Sequence, residues 1–303
     1  MNALHTPVLL EEVLQWLAIR PGGTYLDATL GTGGHAVEIA RRLTEGRLVG
    51  MDRDAQAMEI ARERLEPYKA RVTLVQENFS RVDEVSRELK LPRFDGVLAD
   101  LGVSSLQLDT AERGFSFRWG GPLDMRMNRL ESLTAEEILN TWPEKELANL
   151  LYNYGEERDS RKIARAIVRA RPIRDTEHLA TVVAGGRIAR GRQRLHPATK
   201  TFLALRIAVN RELEELQQFL SRTPATISPG GRWAILSYHS LEDRMVKRAF
   251  QMLAQENSFR ILTKKVIRPS EAEIDRNPRA RSAKMRVAEK KASGESPATE
   301  ARA

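Results

Sequence analysis

The sequence predicts an α/β fold: a doubly wound, Rossmann-like sheet interrupted by an inserted all-helical domain. Three observations carry that expectation. Strand-like and helix-like stretches alternate with short links over the first hundred residues. A glycine-rich turn, Gly31-Thr32-Gly33-Gly34, directly follows the first strand. About 130 residues of helical pattern then separate the fourth strand from the fifth, far more than an ordinary βα connection holds.

Thr24-Tyr25-Leu26-Asp27-Ala28 reads as a short buried strand, and residues 34–43 as a helix. Residues 47–51 make the second strand. The helix 54–65 follows, with Asp54 as its N-cap, because a carboxylate there satisfies orphan N–H groups of the first turn. Residues 72–75 are the third strand, about 80–89 its helix, and 95–99 the fourth strand. Such repeats require right-handed crossovers, which lay parallel strands side by side with helices on both faces. In the long insert, Thr134-Ala135-Glu136-Glu137 is a capping box that opens a helix to Asn140. Helices over 144–154, 160–170 and 197 to about 220 come next, then the strand 233–237. The expected organisation is a discontinuous domain of residues 1–105 plus 222–293, a helical insert of 106–221, and a small-polar, disordered tail of 294–303.

Composition narrows the chemistry. With 303 residues and 41% hydrophobic content, the chain can bury a real core. It has no cysteine, which excludes disulfides, thiol nucleophiles and Cys-ligated metals. Its five histidines show no metal-ligand spacing on one helix, so no metal is expected. No apolar run approaches a membrane span, and Met1–His5 lacks a secretory pattern, so a cytoplasmic protein is expected. The net charge of +8 hides a division: residues 158–211 carry +11, residues 260–290 carry +6, and the remainder is acidic at −9. Two basic regions on an acidic body suggest a localised polyanion-binding surface.

The first strand runs into Asp27-Ala28-Thr29-Leu30-Gly31-Thr32-Gly33-Gly34-His35-Ala36. Glycines at the carboxyl end of a parallel strand let the backbone turn tightly and approach a ligand. Asp52 ends the second strand, 21 residues after Gly31, where a carboxylate can accept both hydroxyls of an adenosine ribose. The glycine pattern alone does not separate a nicotinamide dinucleotide from S-adenosyl-L-methionine. Asp27 favours the latter, since an acid beside the loop suits a sulfonium or amino group and opposes a pyrophosphate. The polar turn Asp100-Leu101-Gly102-Val103-Ser104-Ser105, at the same sheet edge, lies where a reacting group belongs.

These motifs, with Gln107-Leu108-Asp109, Glu112 to Phe117, Gly121 to Met127, His196 to Phe202, Ser237 to Arg244 and Asn277 to Lys284, resemble the bacterial RsmH (MraW) methyltransferase family over nearly the whole chain. The resemblance implies methylation of the N4 amine of a cytidine in 16S ribosomal RNA, in the decoding region, with S-adenosyl-L-methionine as cofactor. It also implies that Gly33, Gly34, His35, Asp52, Phe79, Asp100 and Gln107 contact that cofactor; Asp27 and Gly31 join them on physical grounds. Two positions depart from the family pattern: Leu203 stands in place of glutamine, and Tyr238 in place of phenylalanine. The second exchange is expected to change little.

The N4 amine of cytosine is a poor nucleophile, because its lone pair is delocalised into the ring. Direct in-line transfer needs positioning and an acceptor for the amino proton, and Asp100 is the residue expected to serve. Phe115, Phe117 or Trp119, in a glycine-flanked loop, is expected to stack on the base. Carbon-5 methylation of pyrimidines normally uses a thiolate, so the absence of cysteine favours an amine or hydroxyl target.

For the RNA or small ribosomal subunit, Arg161, Arg165 and Arg169 recur at i, i+4 and i+8, making one helical stripe. Arg187, Arg190, Arg192 and Arg194 occupy a glycine-containing loop suited to phosphates. Arg279, Arg281 and Lys284 add a third basic element, and His239 is expected to line the substrate cleft. Two other classes remain compatible with the sequence: a nicotinamide-dependent oxidoreductase, and a non-catalytic RNA-binding assembly factor that holds the cofactor structurally. The sequence leaves oligomeric state open.

Overall fold

A computed structural model describes residues 7–91, 93–186 and 196–292. The chain divides into two compact units, Met1–Gly102 with Glu214–Ala303, and Val103–Leu213. In the first unit, α1 (Leu10–Leu17) precedes β1 (Thr24–Asp27), α2 (Gly34–Arg42), β2 (Arg47–Asp52) and α3 (Ala55–Leu65). Asp54 does cap α3, its Oδ1 accepting from the Gln56 N–H at 3.1 Å. β3 (Val72–Gln76), a single 3₁₀ turn at Phe79–Arg81, α4 (Val82–Glu88) and β4 (Phe94–Asp100) complete the alternating half.

The second unit has helices and no strand among its described residues: α5 (Ser105–Asp109), α6 (Ala135–Thr141), α7 (Glu144–Gly155), α8 (Ser160–Arg169), α9 (Thr176–Gly186) and α10 (Thr199–Asn210), plus a 3₁₀ turn at Ala111–Arg113, with a long irregular stretch over 114–134. Its core is its own. Ile138, Leu139, Leu147, Leu151, Ile163, Ile167, Leu179 and Leu205 pack into one buried cluster. Asn210 ties α10 to the preceding loop: Nδ2 donates to the Met125 carbonyl at 2.7 Å, and Oδ1 accepts from Met127 N–H at 2.8 Å.

The single helix expected over 197–220 is two helices. α10 ends at Asn210, Arg211 adopts a left-handed backbone (φ 49°), and α11 (Glu212–Thr226) starts afresh. Arg206 braces the break with a bidentate pair to Glu212, both bonds 2.8 Å. From Glu214 onward α11 belongs to the first unit, where Leu216, Phe219 and Leu220 join the core that contains Trp233. The insert is therefore shorter at its C-terminal end than the expected 221. β5 (Ile227–Ser237), α12 (Ser240–Gln255), β6 (Phe259–Ile261), α13 (Glu271–Arg276) and β7 (Lys284–Lys290) follow.

The seven strands run in the order β3-β2-β1-β4-β5-β7-β6. The first five are parallel; β7 pairs antiparallel with both β5 and β6. The sheet is thus mixed at one end, where the basic segment after Asn277 passes through a 3₁₀ turn at Pro278–Ser282 and enters the sheet from Lys284 as β7. Alternate residues feed opposite faces, as the two-residue strand period requires. Tyr25, Leu98 and Leu236 belong to one buried cluster, whereas Leu26, Val97 and Ile235 belong to another. Both faces are covered, which suits a predominantly parallel sheet. The order reverses between β1 and β4, and in such sheets ligands bind outside the carboxyl ends of strands at that point.

Candidate active site

Three neighbouring strands end in the same residue type. β2, β1 and β4 lie side by side, and their last residues are Asp52, Asp27 and Asp100. Asp27 is 1% exposed, and the Thr29 N–H reaches its Oδ1 only at 3.3 Å. Burial pushes this carboxyl up to about 7; the Thr29 contact opposes the shift, and the charges of Asp100 and Asp52 add to it. Asp52 is held by backbone: Oδ2 accepts from Gly31 at 2.7 Å and Oδ1 from Asp54 at 2.9 Å. Burial raises its pKa too, against those two bonds.

Asp100 donates its own N–H to Thr29 Oγ1 at 2.6 Å, so the loop after β1 is stitched to the end of β4. Its Oδ1 accepts from the Tyr238 hydroxyl at 2.8 Å. Burial pushes Asp100 up to about 7, with Tyr238 opposing and the charge of Glu242 adding. His35, in the first turn of α2, is buried; Nε2 donates to the Val8 carbonyl at 3.0 Å. Burial lowers its pKa to about 4, so the ring is neutral at pH 7. Gly31 (φ 51°) and Gly33 (φ 81°) supply the left-handed backbone of the turn. A Cβ on Gly31 would meet nothing nearer than the Thr29 carbonyl oxygen at 4.0 Å, leaving an open approach to the loop.

Among the described residues, no lysine or arginine is ion-paired with any of the three acids. The Arg53 charge favours ionised Asp52, but three clustered carboxyls still leave the site short of positive charge. A sulfonium with its amino group supplies that charge, whereas a pyrophosphate would add to the repulsion. The residues present therefore fit S-adenosyl-L-methionine better than a nicotinamide dinucleotide.

The comparisons with known proteins agree. A model of the MraW methylase family matches residues 2–291. The chain belongs to that family. The family's methylases are S-adenosyl-L-methionine-dependent methyltransferases. Among similar proteins, Ribosomal RNA small subunit methyltransferase H of Koribacter versatilis is 51% identical, over 95% of this chain and 94% of its own. The protein of the same name from a Cyanothece species is 53% identical, over 95% of each. A solved structure from Clostridium thermocellum superposes with a TM-score of 0.47 at 12% identity, covering 95% of this chain and all of that one.

The remaining expected site residues of the methylase fall into distinct environments. Phe79 sits half-buried in the turn after β3, edge-on to Phe219 at 5.1 Å between ring centroids. Gln107 is buried at the start of α5, where its Oε1 accepts from Ser104 N–H and its own N–H donates to Ser104 Oγ. Of the three candidate stacking aromatics, Phe115 is 7% exposed within the core of the second unit, so it is not available to a base. Phe117 packs on His196 and Phe202, with centroids at 4.5 and 5.0 Å. Trp119 alone of the three is open to solvent, at 60%.

Arg161, Arg165 and Arg169 are exposed along α8, while Ile163 and Ile167 are buried beneath them. Arg187, Arg190, Arg192 and Arg194 lie outside the described residues, as does the 294–303 tail. Arg281 is exposed and Arg279 half-buried. Lys284 is committed elsewhere: its Nζ pairs with Asp243 at 3.1 Å, beside an Arg286–Asp243 pair at 2.7 Å. This ion triad joins β7 to α12, so Lys284 already has a carboxylate partner where an RNA contact is expected. His239 caps α12 and shares a capping box with Glu242, a structural duty the sequence reading did not assign. Tyr238 is the residue that reading undervalued. The added hydroxyl makes a hydrogen bond to Asp100 that phenylalanine cannot, and its departure from the family pattern was the available signal.

No helix among the described residues is long and apolar enough to cross a membrane.

Proposed function

We propose that this methylase transfers a methyl group to the exocyclic N4 amine of a cytidine in 16S ribosomal RNA, in the cytoplasm. The methylation of small-subunit RNA is supported by relatives about half identical over nearly full length that carry that name. The observation that carries the site is the row of Asp52, Asp27 and Asp100 at the carboxyl ends of β2, β1 and β4. S-adenosyl-L-methionine supplies an electrophilic methyl on a positively charged sulfur. Asp52 accepts from the ribose hydroxyls, Gly31 and Gly33 let the chain close over the methionine portion, and Phe79 covers an adenine face. Gln107 and His35 complete the cofactor contacts.

Asp100 acts as the acceptor for the proton that the amine loses. A carboxyl near 7 suits that task, since a base works best when its pKa lies close to the working pH. The chain has no cysteine, so a thiolate adduct on the pyrimidine ring has no nucleophile here, and direct transfer to an amine or a hydroxyl remains. The arginine stripe of α8, with Arg279 and Arg281, engages phosphates, and exposed Trp119 offers a stacking face to an unpaired base.

Small ribosomal subunits from cells lacking the methylase, incubated with methyl-labelled S-adenosyl-L-methionine and digested to nucleosides, test this reading. Label is expected in N4-methylcytidine. Label in another nucleoside overturns the amine assignment, and no label in RNA overturns the function.

A further inference from the structure

We propose that Tyr238 is the positioning residue for the proton acceptor: its hydroxyl holds Oδ1 of Asp100 and leaves Oδ2 to take the proton from the substrate amine. This inference rests on the reading of Asp100 as that acceptor. The geometry begins with strand register. Asp100, the last residue of β4, pairs with Leu236 of β5, and Tyr238 lies two residues beyond Leu236. Its hydroxyl donates to Oδ1 at 2.8 Å.

Tyr238 is itself held from behind. Its N–H donates to Glu242 Oε2 at 2.9 Å, and Glu242 closes the capping box that starts α12. The ring packs against the apolar cluster containing Leu236 and Met285. Burial, with the negative charges of Asp100, Glu242 and Glu273, raises the phenol pKa well above its ordinary value, so the hydroxyl remains a donor. A short aspartate held at one oxygen and at its own N–H, which bonds Thr29, has little freedom to turn.

The two carboxylate oxygens are therefore unequal. Oδ1 is engaged, whereas no hydrogen bond reaches Oδ2 among the described residues, and the nearest ionisable atom is Nδ1 of neutral His35 at 3.9 Å. The ionisable groups acting on Asp100 are His35 from α2, Asp27 at the end of β1, and Tyr238 and Glu242 at the junction of β5 and α12. Of these, the Tyr238 bond favours the carboxylate and Glu242 opposes it. In the transfer, the amine nitrogen forms its bond to carbon as the sulfur–carbon bond breaks with its electron pair on sulfur. The N–H proton passes to Oδ2 and then to solvent.

Tyr238→Phe removes one oxygen and keeps the ring, and the test is the pH dependence of single-turnover methyl transfer to unmethylated small subunits. The acid limb is expected to move up by about one pH unit, giving a roughly ten-fold slower reaction on the acid side of that limb. Near-normal rates are expected at the alkaline end, with cofactor affinity unchanged within about two-fold. An unmoved limb, or an equal loss at every pH, overturns the proposal, since a packing role would act evenly across pH. Carboxyl-carbon NMR titration of Asp100 in both proteins reads the same shift without turnover, and coincident titrations overturn it. Asp100→Asn, measured in parallel, separates the two readings. If it keeps the wild-type rate, the acceptor assignment fails and takes the proposal with it; if it is inactive while Tyr238→Phe has an unmoved limb, only the positioning role fails.

Discussion

Nδ1 of His35 lies 3.9 Å from Oδ2 of Asp100, and because the imidazole donates through Nε2 to Val8, both facing atoms are acceptors. Two acceptors at that separation, with buried Asp27 and half-buried Asp52 on adjacent strands, leave the ligand-free site electron-rich. Burial sets Asp27 and Asp100 at about 7, so each is about half-protonated at neutrality, which lowers the negative charge of the ligand-free site.

A cation entering this site favours the ionised acids, so binding of S-adenosyl-L-methionine is expected to release protons between about pH 6 and 8. The sign follows from the shift: each carboxyl has a lower pKa beside the cation, and the complex holds fewer protons than the free protein. Affinity therefore rises with pH and levels off above about 8. S-adenosyl-homocysteine, which lacks the sulfonium charge, should release fewer. Calorimetry in buffers of different ionisation enthalpy measures the proton count. Equal release by the two ligands would show that the sulfonium charge is not what the acids recognise.

The same shift has a cost in stability. A carboxyl whose folded pKa is raised contributes fully below its unfolded value near 3.8, and that contribution is lost as pH rises through about 7. The ligand-free protein is therefore expected to lose stability from acid to neutral pH on account of Asp27, with about 4 kcal/mol as the ceiling. Asp27→Asn stays neutral throughout. It should match wild type near pH 4 and melt several degrees higher at pH 8, while binding the cofactor weakly. A Tm difference that does not grow with pH would mean the carboxyl titrates normally.

The fold was legible where its signals are local. Asp27, Asp52 and Asp100 follow short apolar runs, and a glycine turn beside a strand-ending acid is a compact pattern. What escaped the sequence depends on partners distant in the chain. Arg211 breaks an apolar helical pattern because Asn210 reaches Met125 and Met127, 85 and 83 residues away. Lys284 reads as a phosphate contact in the sequence, yet it and Arg286 share the carboxylate of Asp243, 41 and 43 residues upstream. Phe115 and Trp119 share one loop and one composition, yet the first is core and the second solvent-exposed. Periodicity cannot separate such cases; only packing does.

That loop also has a position with no tolerance. Gly114 adopts φ 70°, and a Cβ there would overlap the carbonyl oxygen of Pro122. Gly114→Ala combines a left-handed penalty of about 1–2 kcal/mol with a backbone clash, so a loss of more than about 2 kcal/mol is expected. Gly185, in the last turn of α9, has nothing within 4 Å of the same atom, and its alanine variant should be neutral or slightly stabilising. Thermal melts of the two variants make the comparison. Equal Tm values would mean that the Gly114 loop yields at little cost.

The arginine stripe of α8 invites a quantitative test, because its charge and its packing lie on opposite faces. Ile163 and Ile167 are buried while Arg161, Arg165 and Arg169 are exposed, and of the three only Arg165 is ion-paired among the described residues, in a 3.4 Å surface contact with Glu144. Exposed pairs of that kind are worth little, so replacing all three arginines with glutamine should leave the Tm unchanged. Each arginine that contacts a single-stranded phosphate contributes about −0.7 to the slope of log affinity against log salt, and the triple variant should flatten that slope by about 2. Affinity for small-subunit RNA falls most at low salt, and the wild-type and variant curves converge as salt screens the contacts. A preserved slope with an intact fold would make the stripe an ordinary solvated helix face and move the phosphate contacts elsewhere.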